Sequence, residues 1–137
     1  MLTRFSSKIL RNCCNKSSFS TLIVAEHNNK ALSDPTFSAI KAATKLSSKD
    51  VSILIAGKNC ESVAKQASEI NEISKVLYCD NNIYENILPE NLSKLVVECQ
   101  NNNNYKHILG GVSSMSRDLL PRIAGELNIS QISDIID

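Results

Sequence analysis

"VSILIAGKNCESVAKQASEINEISKVLYCD", residues 51–80, contains two short apolar runs on either side of a helical pattern. The runs "VSILIAG" and "SKVLYCD" are almost continuously apolar, which is typical of strands buried on both faces of a sheet. The segment between them, "ESVAKQASEINE", is long enough for a helix of about three turns. A strand, a helix and a second strand in this order predict a βαβ unit with parallel strands.

The same alternation extends in both directions along the chain. Further strands are predicted in "TLIVAE" (21–26) and "YKHILGG" (105–111), and further helices in 34–48, 89–100 and 116–128. The last helix is expected to begin near Asp118, because a proline such as Pro121 is tolerated in the first turn of a helix and breaks its interior. We therefore predict an α/β fold for residues 21–137, with an open, mainly parallel sheet and helices on both faces.

The final residues, "ISDIID" (132–137), begin one more apolar run. We interpret this run as the start of a further strand, which predicts that residues 21–137 form a partial domain that is incomplete at its C-terminus. The unpaired backbone and uncovered isoleucines of such a strand would make this edge prone to association.

Charge is distributed unevenly between the first twenty residues and the rest. Residues 1–20 contain four basic side chains and no acidic one, whereas residues 21–137 contain 11 basic and 14 acidic side chains. The body of the chain is thus mildly acidic and has no clustered basic segment. This pattern argues against a nucleic-acid partner.

Residues 1–20 have the Ser-rich, acid-free composition of a mitochondrial targeting segment. Helical spacing places apolar side chains opposite basic ones (Leu2, Phe5 and Ile9 against Arg4, Lys8 and Arg11). We predict import into the mitochondrial matrix, and the alternative is a mildly basic disordered tail. No stretch approaches the ~20 apolar residues that a membrane span requires.

The sequence provides no recognisable metal or catalytic site. Cys60, Cys79 and Cys99 are far apart and form no CxxC pair, and neither His27 nor His107 lies at ligand spacing from them. Buried free thiols are expected instead. The turn after the first predicted strand, "AEHNNKALSDP", lacks the glycines of a dinucleotide fingerprint, and no P-loop or GxSxG motif is present.

Two groups of residues remain as candidate binding or interface positions. Glu26 and His27 follow the first predicted strand, at the carboxyl edge where α/β proteins bind ligands. The stretch "GGVSSMSRD" follows the fourth strand, and its glycines, serines and arginine can face an anion at a helix start (Gly110, Gly111, Ser113, Ser114 and Arg117). The alternative is that serines at this position only cap the helix. Neighbouring strand residues point to opposite faces, so Glu26 and His27 are not expected to form a dyad.

Several blocks, in this order and spacing, resemble electron transfer flavoprotein alpha subunits. They are "STLIVAEHNN", "AIKAATKL", "VSILIAG", "KVLYCD", "HILGGVSSMSRDLLPRIAGELN" and "ISDIID", and together they span nearly all of the chain after residue 20. The resemblance implies pairing with a beta subunit. It also makes Glu26, His27, Arg117 and Arg122 candidate interface residues, since they lie in the matching blocks.

The resemblance further implies an electron carrier rather than an enzyme. In that family the heterodimer carries electrons on FAD from acyl-CoA and other matrix dehydrogenases to a membrane quinone reductase. FAD is held mainly by a second, carboxy-terminal domain, so none is expected in this chain alone. Two alternatives stay open: an ATP- or AMP-binding module resembling the adenine nucleotide alpha hydrolase-like and universal-stress proteins, or an inactive truncated product.

Overall fold

A computed structural model describes residues 2–4, 20–46 and 50–135. Within these residues, five parallel strands form one sheet in the order β1-β4-β3-β2-β5. The strands are β1 (Leu2–Arg4), β2 (Thr21–Val24), β3 (Val51–Gly57), β4 (Lys75–Asp80) and β5 (His107–Gly110). The helices are α1 (Asp34–Leu46), α2 (Glu61–Ser68), α3 (Pro89–Asn103) and α4 (Ser114–Leu127), with a short 3-10 helix at Asn82–Tyr84. The predicted α/β fold with a parallel sheet is confirmed.

Two hydrophobic clusters lie on opposite faces of the sheet. In β3, Ile53 and Ile55 belong to the cluster that contains the buried residues of α1 and α2. Leu54 and Ala56, which alternate with them, belong to the cluster that contains the buried residues of α3 and α4. Helices therefore cover both faces, and this explains why β3 is apolar at nearly every position.

The segment Leu2–Arg4 pairs with β4 as a parallel edge strand, with Leu2 opposite Val76. The helical spacing predicted for residues 1–20 is therefore wrong for these three residues. The edge of β4 offers unpaired backbone groups, and an extended segment satisfies them by adding a strand. Residues 5–19, on which the rest of the predicted targeting segment depends, lie outside the described part of the chain.

Helix α4 begins at Ser114, four residues before the predicted start near Asp118. Pro121 consequently lies inside the helix and removes the hydrogen bond to the carbonyl four residues earlier. The Ser113 side chain compensates at the N-terminus by accepting from the Ser116 backbone amide at 3.0 Å. Leu119 and Ile123 are buried against the sheet on either side of the proline, so tertiary packing outweighs the lost bond.

Residues 129–135 form no strand in the described chain and are exposed throughout. The prediction of a strand beginning at residue 132 is therefore wrong for 132–135, whereas residues 136–137 lie outside the described range. No strand of the described residues pairs with this segment, and extended backbone without a partner does not form a ladder. Ile129, Ile132 and Ile135 are left exposed by 58%, 76% and 70%.

Candidate functional site

The carboxyl ends of β2 and β5 lie side by side at a topological switch point. Val24 is in register with Gly110, so the loops that follow the two strands start next to each other. The first loop leads to α1 on one face of the sheet, and the second leads to α4 on the other face. A crevice between diverging loops is where open α/β sheets bind their ligands. The two candidate groups, around Glu26 and around Gly110–Arg117, meet here.

The backbone of Glu26 is held by hydrogen bonds from the start of α1. Thr36 Oγ1 accepts from Glu26 N at 2.9 Å and donates to Glu26 O at 3.1 Å. Ser33 also donates to Glu26 O, from its hydroxyl at 2.7 Å and from its amide at 3.0 Å. Glu26 is therefore fixed at the edge of the sheet and is half-buried.

The side chain of Glu26 crosses the crevice to the N-terminus of α4. Ser116 Oγ donates to Glu26 Oε1 at 2.8 Å, and the Ser113 hydroxyl donates to the same oxygen. Hydrogen bonds to a charged acceptor are stronger than neutral ones. The positive end of the α4 dipole also favours a negative charge at this point. The helix start whose residues were candidates for facing an anion thus faces a carboxylate of its own chain.

Gly110 and Gly111 are needed for close packing at this edge. A Cβ at Gly110 would lie 2.9 Å from Ser116 Oγ. A Cβ at Gly111 would lie 2.5 Å from both Pro35 Cβ and Pro35 O, in the first turn of α1. No glycine in the described residues has a positive φ. These two glycines therefore provide space for both helix N-termini, and neither adopts a backbone conformation that only glycine allows.

His27 points to β3, away from the Glu26 carboxylate. Its Nε2 lies 3.0 Å from Ala56 O, and its Nδ1 accepts from Asn29 N at 3.1 Å, an arrangement that requires the proton on Nε2. Burial lowers the pKa of His27, and the hydrogen bond to Ala56 opposes this shift only in part. His27 is thus a neutral cross-link between the loop and β3, and it forms no dyad with Glu26.

The remaining site candidates lie on the exposed side of α4. Ser114 and Arg117 are exposed, and within the described residues the Arg117 side chain has no hydrogen-bond or ion-pair partner. Arg122 Nη2 contacts Glu90 Oε1 of α3 at 3.1 Å. The structure therefore brings Glu26, Ser113 and the two glycines together, and it leaves His27, Arg117 and Arg122 outside this group.

The three cysteines after residue 20 are free thiols. Cys60 and Cys99 are buried and Cys79 is half-buried, so the expectation of buried thiols is confirmed for two of the three. Burial, the largest cause, raises the pKa of Cys60 to about 11 and that of Cys99 to about 12. Burial thus favours the protonated, unreactive form of the Cys60 and Cys99 thiols in the folded chain.

Residues 20–46 and 50–135 contain no group of three or more His, Cys, Asp or Glu side chains that could hold a metal ion. Within the same part of the chain, every helix is too short or too polar to span a bilayer.

Three residues that form hydrogen bonds with Glu26 were not among the candidates predicted from the sequence: Ser33, Thr36 and Ser116. Ser116 carried a weak signal, because it stands three residues after the capping residue Ser113, at the position whose amide an N-cap side chain binds. Ser33 and Thr36 carried no sequence signal that distinguishes them from ordinary residues at a helix start. Their role depends on how α1 is placed against β2.

Comparison with known proteins identifies the family. The model of the electron transfer flavoprotein domain matches residues 21–137. The chain is 40% identical over 116 residues to the electron transfer flavoprotein subunit alpha of Pseudomonas aeruginosa, covering 85% of this chain and 37% of that protein. It is 37% identical over 118 residues to a probable mitochondrial alpha subunit of Caenorhabditis elegans, covering 86% of this chain and 35% of the relative.

A third relative is the mitochondrial electron transfer flavoprotein subunit alpha of Dictyostelium discoideum, which is 35% identical over 134 residues. That match covers 93% of this chain and 38% of the relative, so the chain spans a little over a third of the length of these proteins. The matched range contains β2–β5 and α1–α4. On these matches, the chain belongs to the electron transfer flavoprotein domain family.

Proposed function

We propose that this chain acts as the subunit-interface domain of an electron transfer flavoprotein alpha subunit. The observation that carries the proposal is the family match over residues 21–137, together with relatives that are described as alpha subunits. Its partner is an electron transfer flavoprotein beta subunit. The complete heterodimer carries electrons on FAD from acyl-CoA and other matrix dehydrogenases to a membrane quinone reductase, and the chain itself contributes no catalytic group.

The switch-point crevice of this chain does not fit the pyrophosphate of FAD. The loop after β2 contains no glycine between Ala25 and Thr36, whereas close approach of backbone to a pyrophosphate requires one. The Glu26 carboxylate also occupies the N-terminus of α4, where a phosphate would sit. We therefore assign FAD to parts of the heterodimer other than this crevice. The same two features disfavour the alternative of a nucleotide-binding module.

Arg117 and Arg122 on α4 are the proposed contacts with the beta subunit. Both side chains are exposed, and Arg117 has no partner within the described residues, so it can bind a partner carboxylate without breaking an internal ion pair. Glu26 and His27 were also interface candidates, but their side chains are engaged inside the chain. We propose that they shape the loop at this edge and leave direct contact to α4.

Co-purification with a tagged beta subunit tests this proposal. The 137-residue chain is expected to co-purify, and Arg117→Glu combined with Arg122→Glu is expected to weaken retention about tenfold or more by reversing charge at the interface. Lys41→Glu is the matched control, because Lys41 is exposed on α1, on the opposite face of the sheet. Failure of the unaltered chain to bind would refute the partner. Equal retention of the double variant and the control would refute the interface.

Matrix localisation is the second part of the proposal, and it is supported by the composition of residues 1–20 and by mitochondrial relatives. A fluorescent reporter carrying residues 1–20 is expected to enter mitochondria. The charge reversals Arg4→Glu, Lys8→Glu and Arg11→Glu should abolish entry, because they replace three of the four positive charges of the segment with negative ones. Unchanged import of the reversed segment would contradict the assignment.

A further inference from the structure

The Glu26 carboxylate stands where this type of fold commonly binds a phosphate. It lies in the crevice between the ends of β2 and β5, and the hydroxyls of Ser113 and Ser116 at the start of α4 donate to the same one of its oxygens. An anion at a helix N-terminus can be a bound ligand or an acidic side chain of the protein itself. Here it comes from residue 26, and Ser113, whose hydroxyl donates one of the two hydrogen bonds, is 87 positions away in the chain.

The position of this carboxylate is set from both sides of the crevice. On the β2 side, hydrogen bonds from Ser33 and Thr36 hold the Glu26 backbone. On the β5 side, the absence of a side chain at Gly110 leaves room for Ser116, whose hydroxyl would otherwise lie 2.9 Å from a Cβ. Such constraints on both partners keep the side chain across the crevice, rather than free to swing into solvent.

We propose that Glu26 is the residue that keeps this crevice closed to phosphate-bearing ligands. Its carboxylate accepts hydrogen bonds from the hydroxyls of Ser113 and Ser116, so these donors are not available to an incoming phosphate. Its negative charge repels the same ligand at short range. Glu26 is therefore a specificity determinant that acts by exclusion. This inference is independent of the proposed partner, since it concerns the chain without a beta subunit.

Replacement of Glu26 tests the inference directly. In Glu26→Ala the hydroxyls of Ser113 and Ser116 lose the carboxylate that accepts from them, so inorganic phosphate is expected to bind saturably in the crevice, whereas the unaltered chain is expected to show no saturable binding. Glu26→Gln keeps an oxygen that accepts from the serines, and this makes it the variant more certain to fold. Because it removes only the charge, it is expected to bind phosphate more weakly than the alanine variant.

The measurement is a titration of the isotope-labelled 137-residue chain with inorganic phosphate, followed by the amide resonances of Ser114 and Met115. Glu72→Ala is the matched control, because it removes the same charge from an exposed turn after α2. We expect saturable shifts in the Glu26 variants and none in the unaltered chain or the control. Saturable shifts in the unaltered chain would overturn the inference, and so would their absence from every folded Glu26 variant.

Discussion

Substitution of Gly111 by alanine should destabilise the fold strongly. The added Cβ would lie 2.5 Å from Pro35 Cβ and Pro35 O and 2.6 Å from the Pro35 carbonyl carbon. Two of these three atoms belong to the backbone in the first turn of α1, so no rotamer change relieves the contact. Either α1 or the loop after β5 must move, and the hydrogen bonds that join Ser33 and Thr36 to Glu26 would move with it.

The expected cost is about 3 kcal/mol, the upper end of the range measured for overpacking of well-packed sites. For a domain of this size, that corresponds to a melting temperature lower by roughly 10 °C. Gly125→Ala is the matched control, because a Cβ at Gly125 meets nothing within 4 Å. Gly125 lies in the last turn of α4, where alanine should raise stability by about 0.5 to 1 kcal/mol.

Thermal unfolding followed by circular dichroism measures both changes. The two alanine substitutions are chemically identical, so the difference between them reports only the surroundings of each glycine. A melting temperature for Gly111→Ala within roughly 2 °C of the unaltered chain would refute the reasoning. It would mean that α1 does not pack against this loop as the structure describes.

Three further outcomes are expected. Cys60 and Cys99 should resist alkylation by iodoacetamide at pH 8 in the folded chain and react after denaturation, because burial raises the pKa of both thiols. Mass spectrometry would count the labels, and rapid labelling of either cysteine in the folded chain would contradict its burial. The free energy of unfolding should fall as the pH decreases below about 6.5, since burial lowers the pKa of His27 in the folded chain and the unfolded chain then binds the proton more readily. His27→Gln should make this free energy depend less on pH, and an unchanged dependence would mean that other groups cause it. The purified chain should be colourless, and flavin absorbance at equimolar content would disprove the assignment of FAD to other parts of the heterodimer.

The fold could be predicted because its elements are defined by local patterns. The run Val51–Gly57 is buried at every position, and its nearly continuous apolar sequence predicts a strand covered on both faces. Pro89 begins α3 at the N1 position, where proline is expected. The start of α4 could not be predicted from the proline alone. Pro121 costs the helix a hydrogen bond, but the burial of Leu119 and Ile123 stabilises the helix by more than this loss.

The site could be predicted only in part, for a related reason. Sequence patterns placed Glu26 and Ser113 at carboxyl ends of strands, which is a local property. Their contact depends on the order of the strands, because β5 pairs with β2 rather than with the preceding strand β4. The sequence of residues 107–113 does not specify which strand pairs with β5. The serines after β5 are therefore equally consistent with a phosphate site and with a helix cap.

Thermal stability provides a separate check on the role of Glu26. In phosphate-free buffer Glu26→Ala should be less stable than the unaltered chain, because hydrogen bonds to a charged group contribute about 1.5 to 3 kcal/mol each. If phosphate binds in the vacated crevice, it should restore part of this loss, by about 1.4 kcal/mol at a concentration ten times the dissociation constant. Phosphate also stabilises folded proteins in general, so the gain must be compared with that of the unaltered chain and of Glu72→Ala. Equal gains in all three proteins would show that the carboxylate joins the two loops without guarding the crevice, and a larger gain in Glu26→Ala alone would show that it does both.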